Sequence, residues 1–215
     1  MQIFSGQSIS SDVVFGPLHF LTPAPPTISA HSPLPPEEEW ERFSTAHRQA
    51  VLELAQLYDQ AVQMVGEKLA TIFAIHAMLL DDQDYQDTVY SMIFSCGCTA
   101  EHASKTAMDH LVSLFEQMDP YMQARASDVR AISDRMLRIL TGRGAVPPVS
   151  FSPSILVSTE FAPSQIITLD RSCILGFIAM RGSVQSHAAA LSRALSIPAL
   201  VKLDLSASLE GHTAL

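Results

Sequence analysis

Six consecutive residues, Gly182-Ser183-Val184-Gln185-Ser186-His187, hold the components that a phosphoryl-accepting histidine needs. A free imidazole titrates near about pH 6.5, so an exposed one is largely neutral and nucleophilic at neutral pH. Transfer of a phosphoryl group needs positioning and charge stabilisation more than bond-making chemistry from the protein. The product phosphate must then be held without a covalent partner. A helix N-terminus does this with unpaired backbone N–H groups and the positive end of its dipole. The spacing predicts a strand over Ile174–Ile178, a turn at Gly182-Ser183, an N-cap at Ser186 and a helix over His187–Leu195. Arg193 lies six residues after His187, at an offset that does not set it directly over the imidazole, where it reaches either a phosphate or the neighbouring surface. By spacing alone a plainer reading stands beside this one. A histidine at a strand–turn–helix junction is more often a capping or surface residue.

The elements that position this stretch come from both ends of the chain. Val13–Phe20, Ile155–Val157, Ile166–Leu169, Ile174–Ile178 and Ala199–Leu203 are apolar runs expected as strands. Six of the 13 prolines fall between Pro23 and Pro36, and Pro147, Pro148, Pro153 and Pro163 mark a second punctuated stretch. Between them only Pro120 interrupts a segment with helical periodicity throughout. Helices are expected over Glu37–Val65, Ala70–Leu80, Asp84–Phe94, Ala100–Gln117 and Pro120–Leu140, packed as antiparallel hairpins. Residues 1–22 and 146–215 then form one discontinuous α/β domain. Residues 37–143 form an all-α helical-hairpin domain inserted into it, and 23–36 a Pro-rich linker.

Net charge is −9, and all of that excess lies between Glu37 and Thr141, where 17 acidic residues face 8 basic ones. Nucleic-acid binding needs a basic face and is excluded; a basic protein partner for the helical segment, or a merely solvated acidic surface, fits. No apolar run has the length of a membrane span, and the N-terminus lacks the basic and apolar regions of a secretory signal, so no membrane role is expected. Cys96 and Cys98 could form a metal or redox pair, but no second ligand pair accompanies them, and with Cys173 they are expected as reduced thiols. His47, His102 and His110 have no supporting constellation.

Several stretches carry a resemblance. Gly182–His187 is followed by Ser192-Arg193-Ala194-Leu195-Ser196-Ile197-Pro198-Ala199. Upstream lie Ala162-Pro163-Ser164 and Leu175-Gly176-Phe177-Ile178, and the helical segment holds Ile72-Phe73, His76–Asp82 and Arg125–Arg130. In order and spacing these resemble the N-terminal half of Enzyme I, the phosphoenolpyruvate-protein phosphotransferase of the bacterial sugar phosphotransferase system, over essentially the whole chain. The histidine motif alone also occurs in dikinase-type enzymes; the His-x-Met-Leu-Leu-Asp-Asp stretch in the helical segment points to Enzyme I.

The resemblance implies a swivelling α/β phosphohistidine domain with an inserted helical domain. It makes His187 the phosphohistidine nucleophile, with Ser186, Gly182 and Arg193 around it. It implies that the helical domain binds the phosphocarrier protein HPr through Glu67, His76, Met78, Leu79, Asp82 and Arg125. Phosphoenolpyruvate and Mg2+ are expected only with a C-terminal domain outside this chain, so no cofactor or metal is expected here. A cytoplasmic location and a monomeric state are likewise implied. Asp81, Asp82, Asp84 and Asp87 beside Met78 and Leu79 suit a basic, apolar partner, or else form a dipole-stabilised helix start. Departures from the family pattern are Ser183 for a glycine, Gln185 for a threonine, and Lys68 and Ala74 where acids are usual. The first two support an alternative, a degenerate paralogue that docks a carrier without phosphotransfer.

Overall fold

The computed structural model describes residues 2–10, 12–21, 26–143 and 152–215. The chain divides into two compact units, residues 1–24 with 146–215, and residues 25–145.

The first unit is a six-stranded sheet in the order β1-β5-β4-β3-β2-β6. The central strands β2 (Gly16–Phe20), β3 (Ser154–Ser158), β4 (Ile174–Ala179) and β5 (Ala199–Val201) are parallel. The short β1 (Gln7–Ser8) and β6 (Thr213–Ala214) close the two edges antiparallel. Alternation sends Leu18, Ile155, Val157 and Ile178 to one face, where Leu203 and Leu205 join them. Leu156 and Phe177, at the positions between, are also buried, as a sheet covered on both faces requires. Phe161 packs its ring 4.7 Å from that of Phe177. Helices α7 (Pro163–Thr168) and α8 (His187–Ala194) contact each other and bury Ile166, Ile167, Ala189 and Leu191.

The run Ile166–Leu169, expected as a strand, is the end of α7 and the residue after it. A short apolar run does not by itself separate a strand from a buried helical turn. Here Pro163 at the first helical position and the Gln165 side chain, accepting from the Ala162 N–H at 2.8 Å, decide for the helix. β2 begins at Gly16 rather than Val13, and β5 stops at Val201, before Lys202 with φ +59°.

The second unit comprises α1 (Pro36–Val65), α2 (Glu67–Leu80), α3 (Gln83–Cys96), α4 (Ala100–Glu116), α5 (Pro120–Gln123) and α6 (Ala126–Leu140). α1 starts with Pro36 at its first turn and Glu37, Glu38 and Glu39 on its positive end. It buries Phe43, Ala46, Ala50, Leu54, Leu57 and Ala61, at spacings of three and four. Gly66, with φ +84°, reverses the chain, and the Leu80 carbonyl meets His47 Nε2 at 3.0 Å, so α2 runs back along α1. The helix expected over Pro120–Leu140 is two, separated at Ala124-Arg125.

The Pro-rich stretch is no free tether over its described part. Ser32 N–H donates to the Gly97 carbonyl, Thr99 N–H to the Ala30 carbonyl, and the Thr99 hydroxyl to the Ser29 carbonyl at 2.6 Å. Residues 29–32 are thus pinned to the α3–α4 connection, which corrects the linker reading of 23–36; residues 22–25 lie outside the described residues. Gly97, with φ +63°, caps α3 between an exposed Cys96 and a buried Cys98.

Candidate functional site

His187 lies just beyond the carboxyl end of β4, the edge of a parallel sheet where ligands commonly bind. Past Ala179 the chain stays bonded to the end of β3: Met180 N–H donates to the Ser158 carbonyl at 2.9 Å and Arg181 N–H to the Thr159 carbonyl at 2.8 Å. Gly182 then turns the backbone with φ +104°. A Cβ there would meet nothing within 4 Å, so glycine is required by the dihedral and not by crowding. Ser183 accepts the Gln185 N–H on its hydroxyl at 3.1 Å and the Ser186 N–H on its carbonyl at 3.0 Å. Among the described non-glycine residues only Ser196 and Lys202 have positive φ, so serine at 183 carries no backbone strain. The departure at Ser183 adds a turn-stabilising hydroxyl.

Ser186 is the N-cap of α8, its hydroxyl accepting the Ala189 N–H at 3.1 Å. His187 is the first helical residue and is half-buried, followed by Ala188, Ala189 and Ala190, which set no bulky side chain on the first turn. Buried Leu191 anchors the helix beneath. Arg193 Nη1 donates to the Val184 carbonyl at 3.0 Å. It therefore braces the approach loop against the helix, in line with the neighbouring-surface contact, one of the two readings of its offset. Replacing Ser186 with alanine removes the cap and should cost about 1 kcal/mol. Urea unfolding should show a lower midpoint at unchanged slope.

In the helical unit, Ile75, Met78 and Leu79 share the outer stripe of α2, with Met78 72% exposed and Leu79 half-buried. Glu67 stands exposed at the start of the same helix and Asp81, Asp82, Asp84 and Asp87 at or beyond its end. Asp82 is committed in part: its carboxylate caps α3 by accepting the Tyr85 N–H at 3.1 Å. Asp81 lies 3.2 Å from His47 Nε2. Exposed Lys68 and Ala74 interrupt the acidic surface. His76, expected as a partner contact, has a side chain only 5% exposed. It sits on the inner stripe with Ile72, Phe73 and Leu80, so a partner cannot cover it. Arg125 precedes α6, its guanidinium carbon 4.7 Å above the centre of the exposed Tyr121 ring. Among the described residues no group of three metal-ligating side chains occurs, and no helix is long and apolar enough to cross a membrane.

Glu39, Tyr121 and Asp128 are not among the candidate site residues that the sequence marks. Glu39 and Asp128 are carboxylates on the inner stripes of α1 and α6, and periodicity alone could have flagged each as a charge in an apolar position.

A histidine on a capped helix at the edge of a parallel sheet, with a helical unit inserted between the first two parallel strands, defines the class of protein. The chain belongs to the PEP-utilising enzymes. Residues 5–125 match the family described as PEP-utilising enzyme, N-terminal, and residues 151–213 match PEP-utilising enzyme, mobile domain. Within that family it is similar to phosphoenolpyruvate-protein phosphotransferases. The one from Bacillus subtilis is 30% identical over 203 residues, 94% of this chain and 36% of the relative. That from Haloferax volcanii is 35% identical over 161 residues, 74% of this chain and 28% of the relative. The chain thus spans about a third of the curated relatives it matches. The solution structure of an Enzyme I protein superposes with a TM-score of 0.72 at 26% identity, covering 97% of this chain and 86% of that one. The N-terminal domain of a nitrogen-type Enzyme I gives 0.65 at 25% identity, covering 98% and 88%. The resemblance to the N-terminal half of Enzyme I therefore holds along the whole chain.

Proposed function

We propose that the first unit is a phosphohistidine domain in which His187 accepts a phosphoryl group and passes it to an HPr-type phosphocarrier docked on the helical unit. One observation carries the reading. Within the segment that matches the mobile domain of PEP-utilising enzymes, His187 occupies the first position of a serine-capped helix behind a Gly182 turn. An imidazole nitrogen attacks phosphorus in line with the donor bond; the N–P bond forms as that bond breaks, and its electron pair leaves with the donor. The first-turn amides and the dipole of α8 offset the added phosphate charge. Phosphoenolpyruvate and its Mg2+ would be handled by a further domain, and cytoplasmic location follows from the same assignment.

The acidic surface around Asp82 and Glu67, with Met78 and Leu79 at its centre, suits a carrier whose docking face is basic and apolar. Calorimetric titration with HPr tests this docking. Glu67→Gln combined with Asp82→Asn should weaken binding by about tenfold at low salt, and the difference should shrink as salt rises. Unchanged affinity in that variant would remove these two residues from the docking surface. Titration with phosphorylated HPr separates transfer from mere docking, since only a phosphotransfer domain acquires acid-labile phosphate.

A further inference from the structure

The helical unit contains a buried charge cluster that reaches the surface at one point. His76 on α2 has its Nε2 buried with no hydrogen-bond partner, 3.8 Å from Asp128 Oδ1. The other carboxylate oxygen of Asp128 lies 3.8 Å from Arg125 Nη1. Asp128 is nearly inaccessible, with a side chain 6% exposed, while that of Arg125 is 17% exposed and stacks on Tyr121. A buried carboxylate needs compensation. Arg125 and the N-terminal turn of α6, in which Asp128 is the third residue, supply it from one side. His76 faces it from α2, two residues before Met78.

Arg125 is also one of the residues that the resemblance to Enzyme I assigns to carrier binding, so the placement of its guanidinium bears on docking. We propose that His76 and Asp128 are buried positioning residues: Asp128 neutralises Arg125 and fixes its guanidinium over Tyr121, and His76 fixes Asp128 from the α2 side. The consequence for carrier binding rests on the docking reading above; the internal arrangement does not. The 3.8 Å between His76 Nε2 and Asp128 Oδ1 lies beyond hydrogen-bond range, so a small shift of α6 against α2 closes it. Local order on the face that carries Met78 and Leu79 is thereby tied to order at Arg125.

Two measurements on the intact chain test this separately. By NMR on 15N-labelled protein, the Arg125 Nε–H should exchange with water about tenfold faster in Asp128→Asn and in His76→Leu than in the parent chain. His76→Gln, whose amide keeps a polar group facing the carboxylate, should restore protection in part. Circular dichroism verifies that each variant keeps its helix content. In HPr titrations Asp128→Asn should weaken binding about tenfold, and most of that loss should vanish when Arg125 is already alanine. Unchanged Arg125 Nε–H exchange in both variants, or equal losses from Asp128→Asn in the presence and absence of Arg125, overturns the proposal. Absence of HPr binding by the parent chain contradicts the docking reading and leaves the exchange result to decide the positioning role.

Discussion

His187→Ala should lower phosphoryl incorporation from phosphorylated HPr by on the order of a thousandfold or more, to the level of the uncatalysed background. The reason is chemical. Nothing else on the first turn of α8 offers a nucleophile of comparable strength: the Ser186 hydroxyl is engaged as the cap, and Ala188 to Ala190 carry no heteroatom in their side chains. The effect should be confined to transfer. Ser186 still caps the helix, Gly182 still makes the turn, and the Met78 surface belongs to the other unit, so affinity for unphosphorylated HPr should stay within about twofold of the parent chain. Radiolabel transfer and calorimetry on the same preparation check the two halves of this expectation. A fall in both would show that the substitution damaged the fold and not only the chemistry.

Glu39→Leu should have the largest effect on stability, about 3–5 kcal/mol, because it breaks a buried polar cluster from one side. Glu39 is 1% exposed. It accepts hydrogen bonds from the Ser32 hydroxyl, from the Ala100 N–H at 3.0 Å and from Arg42 Nη1 at 2.6 Å, while Arg42 also pairs with Glu101. One carboxylate thus joins the stretch before α1 to the start of α4, and leucine leaves the Ala100 N–H and the Ser32 hydroxyl without their acceptor, while Arg42 keeps Glu101. Burial alone would raise the Glu39 pKa, but the hydrogen bonds from Ser32, Ala100 and Arg42 outweigh it and hold the pKa below its ordinary 4.5. A depressed folded-state pKa makes the contribution complete above 4.5, and it is lost as pH falls from there through the folded value. Urea unfolding across that acid range should therefore show the parent chain losing stability faster than Glu39→Leu, so that the two curves converge. Parallel curves would mean that Glu39 does not carry this pH dependence.

The first unit was legible where local chemistry is strong. Ser186 before an alanine-rich helix and Gly182 after a strand are cap and turn signals whose geometry is the one expected. Its failures are those of short apolar runs: Ile166 and Ile167 are buried in either a strand or a helix, and only Pro163 and Gln165 distinguish the two. Edge strands of two residues, β1 and β6, leave no periodic trace. In the helical unit periodicity placed the long helices. It could not tell that Leu79 turns partly outward while His76 three residues earlier turns in, because both lie near the boundary of the apolar stripe. Arg193 shows a different limit. Its offset from His187 was readable, but its bond to the Val184 carbonyl depends on how the loop folds back over α8. The Pro-rich segment reads as a tether from composition, and its pinning to residues 97–99 is a long-range pairing that no local signal announces.

Site-resolved mass spectrometry of the chain after incubation with phosphorylated HPr tests the central assignment most directly. The expected result is a single phosphoryl group on the peptide containing His187, lost in acid and stable in base, as an N–P bond requires. Phosphate on another residue, or an unmodified His187 in a chain that binds phosphorylated HPr, would contradict it.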